Sequence, residues 1–129
     1  MRLLLDTHAL IWFATGDPQL PQASIDAIAD PDNEVFVSAA SAWEVATKFR
    51  KGKLPEAAVL ESDFESIVVS LGMTELPVTL RHALLSGRLT LVNSDPWDRT
   101  LIAQAILENL VLVSIERSFE SQGGRRLWD

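Results

Sequence analysis

Two short apolar runs set the terms for this chain: RLLLD (Arg2 to Asp6) and LVLVS (Leu110 to Ser114). Each is too short for a helix and lacks a polar face, which is the pattern of a strand buried on both sides. RLLLD passes directly into THALIWFATGD, a helical stretch stopped by Gly16. EVFVS (Glu34 to Ser38) reads as a further strand and runs into AASAWEVATKFRKGK, a helix whose basic last turn suits the helix dipole. PQASIDAIAD (Pro21 to Asp30) predicts a short helix, and PEAAVLESDFESIVVSLGM (Pro55 to Met73) a single longer one. TELPV (Thr74 to Val78) is a weak strand with a proline, and TLRHALLSGRL (Thr79 to Leu89) a short helix. PWDRTLIAQAILENL sets Trp97, Leu101, Ile102, Ala105, Ile106 and Leu110 at helical spacing, so this helix is expected to pack on the sheet. A Gly-Gly break then precedes a final strand around Arg125 to Trp128. Strands alternating with helices predict an α/β fold, a parallel sheet covered on both faces, as one domain over residues 1–129.

Composition narrows the chemistry. There is no cysteine, which excludes a disulfide framework and a thiolate metal site and fits a reducing compartment. With only His8 and His82 available, a metal site would rest on carboxylates, and Mg²⁺ or Mn²⁺ is the natural occupant. Asp6 interrupts the first apolar run, and no stretch approaches the roughly 18 to 20 apolar residues of a membrane span. The expectation is a soluble, cytoplasmic protein with no membrane partner. A net charge of −7 argues against a general nucleic-acid binder. KFRKGK, with Lys48, Arg50, Lys51 and Lys53, is the one dense basic patch, read either as dipole-complementary charge or as a contact for RNA or an acidic partner segment.

The acids fall into a pattern along this alternation. Asp6 ends the first strand, Glu44 lies early in the helix after EVFVS, Asp95 and Asp98 open the helix before LVLVS, and Glu116 follows that strand by two residues. Open α/β sheets bind ligands beyond the carboxyl ends of their strands, and these positions share that rim. Taken singly, each has a local explanation: Asp6 and Asp95 as N-caps, Asp98 favoured by the dipole, Glu116 as a solvated loop residue, and Ser41 to Glu44 as a capping box. Taken together they are costly, because two carboxylates about 4 Å apart repel by about 4 kcal/mol at an effective dielectric near 20. A divalent cation resolves the crowding and implies metal-assisted phosphodiester hydrolysis.

With Asp6, Glu44, Asp98 and Glu116 in place, the sequence resembles the PIN-domain ribonucleases, and within them the VapC-type toxins of bacterial type II toxin-antitoxin pairs. The stretches that carry the resemblance are LLLDTHALIWF, SAASAWEVATKFRKGKL, LGMTELPVTLRHALLSGRL, SDPWDRTLIAQAILENLVLVS and the closing RRLW, in the family's order and over nearly the whole chain. The resemblance implies a PIN-like three-layer α/β/α sandwich with a parallel sheet of four or five strands. It further implies Mg²⁺- or Mn²⁺-dependent endoribonuclease activity, inhibition by a cognate antitoxin, and a homodimer. By position, Asp6, Glu44 and Asp98 match the family's acidic core. Asp95 matches the extra acid of its DPFDR-like motif, written here DPWDR, and Glu116 stands where many members have Asp. On this resemblance Asp6, Asp95, Asp98 and Glu116 are the expected metal ligands, with Glu44 beside them in the catalytic set. Thr7 matches a small hydroxyl residue that would orient Asp6.

Arg99 is a candidate for phosphate contact or for orienting the acids. His8 and His82 read as structural or exposed, and Trp12, Trp43 and Trp97 as core residues on apolar helix positions. The helices near Pro21 to Asp30 and Pro55 to Met73 carry apolar faces wide enough to offer a groove to an antitoxin helix or a second copy. Two other classes compete. A haloacid-dehalogenase-type phosphatase wants a second Asp two residues after the first, where this chain has His8. A non-catalytic receiver-like or partner-binding α/β module with a single Mg²⁺ site would need a mid-chain phosphoacceptor and a late Lys, and LVLVSIER offers Arg117 instead.

Overall fold

The computed structural model describes residues 1–129. Five strands, β1 (Arg2–Leu5), β2 (Glu34–Ser38), β3 (Thr74–Leu76), β4 (Val111–Val113) and β5 (Arg126–Leu127), form one sheet in the order β3-β2-β1-β4-β5. Every pairing is parallel. The helices are α1 (Thr7–Thr15), α2 (Gln22–Ala29), α3 (Ala39–Arg50), α4 (Ala58–Ser62), α5 (Phe64–Ser70), α6 (Leu80–Arg88) and α7 (Pro96–Glu108). No helix is long and apolar enough to cross a membrane.

The two apolar runs behave as their composition demands. In the central strand, Leu3, Leu4 and Leu5 are all fully buried, and the alternation of strand side chains divides them between two cores. Leu3 and Leu5 join Val35, Val37, Val111 and Val113 under α1, α2, α3, α4 and α5. Leu4 joins Phe36 and Leu112 on the opposite face, against Leu101, Ile102 and Ala105 of α7 and Phe119. Helices therefore cover both faces, giving the expected three-layer sandwich.

Two local expectations are corrected. Pro55 to Met73 is not one helix but a 3-10 turn (Pro55–Ala57) followed by α4 and α5, broken at Asp63, whose φ of −144° and ψ of 44° leave the helical region. Ser62 and Asp63 are poor residues for a helix interior, and Ser62 Oγ donates back to the Val59 carbonyl just before the break. Nor is there a capping box at Ser41 to Glu44. The N-cap of α3 is Ser38, whose Oγ accepts from Ala40 N at 3.0 Å, so Glu44 lies within the helix and its carboxylate is free for another role. β3 stops at Leu76 because Pro77 has no N–H to continue the ladder.

The Gly-Gly break before β5 has two separate causes. Gly123 adopts φ 77°, the left-handed region. Gly124 instead leaves room for a neighbour: a Cβ there would stand 2.2 Å from the ring of Phe119, which is 1% exposed. Gly124→Ala is accordingly expected to cost about 1 to 3 kcal/mol by overpacking, read as a lower urea midpoint. An unchanged midpoint would show that the Phe119 ring yields freely.

Candidate active site

All the acids of interest sit where the strands end. Asp6 follows β1 directly and caps α1, its Oδ1 accepting from Ala9 N at 2.8 Å. Its backbone N–H donates to the Val113 carbonyl, which ties this carboxylate to the end of β4. Burial raises the pKa of Asp6; hydrogen bonds from Ser114 and Ala9 oppose the shift, and the Glu44 charge adds to it. Asp95 caps α7 by accepting from Asp98 N at 3.0 Å, while its own N–H donates to Asn93 Oδ1 at 2.9 Å. Asp98 is held from the side by Asn93 Nδ2, which donates to its Oδ2 at 3.1 Å. Glu116 caps the 3-10 turn Arg117–Gln122 and accepts from both the N–H and the hydroxyl of Ser118, bonds that lower its pKa.

Glu44 is the most enclosed of the set at 3% exposure. Both of its oxygens are engaged: Thr7 Oγ1 donates to Oε1 at 2.5 Å, and Lys48 Nζ donates to Oε2 at 2.5 Å. Thr7, expected to orient Asp6, thus holds Glu44, with Ser41 Oγ 3.1 Å from the same hydroxyl. Burial works to lower the Lys48 pKa, but its bond and charge pairing with Glu44, reinforced by Asp95 and Asp98, leave it raised. The Glu44–Lys48 pair was visible as an i, i+4 spacing, although the basic patch hid it as one more surface charge.

Asp6, Glu44, Asp95, Asp98 and Glu116 line one open cleft of ≈ 180 Å³ together with Thr7, His8, Lys48 and Ile115. The structure therefore gathers every acid expected from the sequence. Desolvation is the main cause that pushes Asp98 up to about 6, and the charges of Asp95, Glu44 and Asp6 add to it. The donors are uniformly hard carboxylate oxygens and the nearby cation is Lys48, a set whose chemistry fits a divalent cation of the Mg²⁺ type. No three His, Asp or Glu side chains are yet drawn together as a closed cage. Like charges keep apart, and Asn93, Ser118, Thr7 and Lys48 each hold one of them.

The raised pKa of Asp98 carries a sign. Its folded value of about 6 exceeds the 3.8 of an unperturbed Asp, so between pH 4 and 6 the native protein binds the extra proton. Protein stripped of divalent cations should therefore lose stability as pH rises through that window. Asp98→Asn should flatten this dependence and stabilise the stripped protein at pH 7 by up to about 1 kcal/mol, after discounting for partial exposure. Thermal melts at pH 5 and 7 measure both effects. A lower melting temperature for the variant at pH 7 would mean that capping, not crowding, dominates at this position.

Other expectations fare differently. Arg99 turns away from the acids: Nε, Nη1 and Nη2 donate to the carbonyls of Ser86, Asn93 and Leu89 at 3.0, 3.0 and 2.6 Å. His82 is buried, receives the Thr79 N–H at Nδ1, and faces Glu108 at 3.0 Å through Nε2, so its role is structural. His8 is exposed beside Trp12. Trp43 is not a core residue: it is 64% exposed and meets Trp97 edge-on, while Trp12 and Trp97 are half-buried. Arg50, Lys51 and Lys53 are exposed. A second cavity, of ≈ 400 Å³, lies away from the acids between β2, α3 and α5, where Val37, Ala39, Phe64, Val68 and Met73 give it an apolar lining. The apolar face expected over Pro55 to Met73 therefore does border a groove.

Solved structures share this architecture. A chain from VapBC2 of Rickettsia felis, described as bound to a DNA fragment from their promoter, superposes with a TM-score of 0.70 at 17% identity, with 100% of each chain covered. FitAcB from Neisseria gonorrhoeae gives 0.65 at 18% identity, covering 97% of this chain and 96% of that one. VapBC-1 from nontypeable Haemophilus influenzae gives 0.62 at 16% identity, covering 98% and 97%. No curated protein sequence matches. At these identities the likeness is one of fold. The sequence itself matches the PIN domain across residues 3–124, the span that runs from the first strand past all five acids, and the chain belongs to the PIN domain family.

Proposed function

We propose that this chain is a metal-dependent endoribonuclease and the toxin of a toxin-antitoxin pair. The observation that carries the reading is the single cleft lined by Asp6, Glu44, Asp95, Asp98 and Glu116, with Asp98 pushed up to about 6. Asp6, Asp98 and Glu116, with Asp95 beside them, would hold Mg²⁺ or Mn²⁺. When bound, the ion supplies an activated water and charge stabilisation on the leaving oxygen.

The chain's own groups do the rest. Thr7 fixes one Glu44 oxygen, so the carboxylate keeps its orientation inside α3. Asp95 anchors the backbone of Asp98, and Asn93 steers its side chain. Lys48 Nζ lies against Glu44 on the cleft wall, where it balances acid charge and meets a substrate phosphate. RNA is the substrate class, and the site works in the cytoplasm, where RNA is reached.

The antitoxin reading draws support from the likeness to VapBC2, FitAcB and VapBC-1 and from the apolar groove beside α5. A homodimer is proposed with it. The test is to incubate the purified chain with structured and single-stranded RNAs in Mg²⁺ or Mn²⁺ and then in chelator. Internal cleavage that stops with chelator is the expected result. Cleavage that continues, or none under any condition, would overturn the reading, the latter in favour of a binding module.

A further inference from the structure

Two tryptophans immediately precede acids of the cleft, Trp43 before Glu44 and Trp97 before Asp98. Their placement differs from the apolar packing that helix periodicity suggested. Glu44 points into the protein at 3% exposure, whereas Trp43, one residue earlier and so rotated about 100° around α3, is 64% exposed. Trp97 meets it with ring centroids 5.5 Å apart and planes at 74°, and Lys48 Nζ stands 5.4 Å over the Trp97 ring. The result is an indole braced on one side and open to solvent on the other, at the edge of the acidic cleft.

The same outer face of α3 continues as Ala46 and Arg50, at i+3 and i+7 from Trp43, and both are exposed. Lys51 and Lys53 follow directly, and none of these three cations is ion-paired. Seven residues of helix place Arg50 about 10 Å from Trp43. On a chain of net charge −7, an aromatic plate leading into free cations is a local inversion of the overall field. A braced indole followed by positive charge matches a base stacked on the ring with its phosphates running along the cations. A paired base has no free face to offer, so the match is to a single strand.

We propose that Trp43 is a stacking platform for an unpaired base of single-stranded RNA, whose adjoining phosphates run over Arg50, Lys51 and Lys53. The proposal rests on the nuclease reading and names its substrate form. The test uses the full-length chain carrying Asp98→Asn to block cleavage, with a fluorescein-labelled oligouridylate and a labelled RNA duplex, read by anisotropy across salt concentrations. Trp43→Ala should weaken the single strand by about five- to a hundredfold, leave the duplex unchanged, and be largely rescued by Trp43→Phe. Replacing Arg50, Lys51 and Lys53 with Gln should reduce the salt slope by up to about 2. Single-strand affinity unmoved by Trp43→Ala overturns the platform, as does equal loss for strand and duplex. A variant that binds RNA normally but no longer associates with an antitoxin would assign the surface to protein. Cleavage by the unsubstituted chain together with an unaffected Trp43→Ala sinks the platform alone, and an unsubstituted chain that neither binds nor cleaves RNA sinks both readings.

Discussion

Asp6→Asn and Asp98→Asn are each expected to lower RNA cleavage by roughly a hundred- to a thousandfold while leaving the fold intact. The two acids line the same cleft, one at the end of β1 and one in the first turn of α7, and both retain their backbone bonds as Asn. Asn keeps the shape and one acceptor but removes the charge, so the change isolates electrostatics from packing. The effect should appear as weaker Mn²⁺ binding by calorimetry as well as slower cleavage. The double variant should be little worse than either single one, because groups that serve one ion act as a unit. Glu44→Gln is a distinct case. It also breaks the pair with Lys48, leaving an ammonium that faces the remaining acids, so its loss of activity comes with a changed salt dependence. If Asp6→Asn and Asp98→Asn both cleave within about threefold of the unsubstituted chain, the cleft is not where the chemistry happens.

What the sequence disclosed follows from which forces are local. The strands RLLLD and LVLVS were legible because burial on both faces leaves no polar position, and the rim was legible because Asp6 and Glu116 lie one and three residues past a strand end. The Asp95 cap was readable from Pro96 alone, since proline is favoured at the first helical position. Tertiary geometry decided the remainder. Ser38 outcompeted Ser41 as the α3 cap because β2 runs into the helix without a loop, a junction that pattern alone does not fix. Periodicity placed Trp43 on an apolar stripe, but the face that α3 buries carries Ala40 and Val45, with Val45 in the core, and the indole is left outside. Arg99 follows Asp98 in sequence, yet a helix turns about 100° per residue, so neighbours on α7 point to different places.

That rotation makes Arg99 the second large effect. Its guanidinium reaches three backbone carbonyls, Ser86 and Leu89 at the end of α6 and Asn93 beyond it, and so fastens the irregular stretch between α6 and α7. Hydrogen bonds from a charged donor are each worth about 1.5 to 3 kcal/mol, less where water can replace the donor. Arg99→Met keeps the aliphatic stem but drops all three, and should cost about 2 to 4 kcal/mol in urea denaturation. Arg99→Lys should recover only a minor part, because one ammonium cannot reproduce a planar fork serving three acceptors. The loss should reach the site as well. Asn93 both receives the Arg99 bond at its carbonyl and holds Asp98 Oδ2 through its side chain, so freeing Asn93 loosens the carboxylate it steers. Metal affinity should then fall by about tenfold or more, as when a group that orients a ligand is removed. Amide exchange in residues 89–95 should accelerate in the same variants. Arg99→Met with stability within about 0.5 kcal/mol of the parent, or with unaltered exchange there, would show that this segment is held by other contacts and that Asp98 does not depend on it.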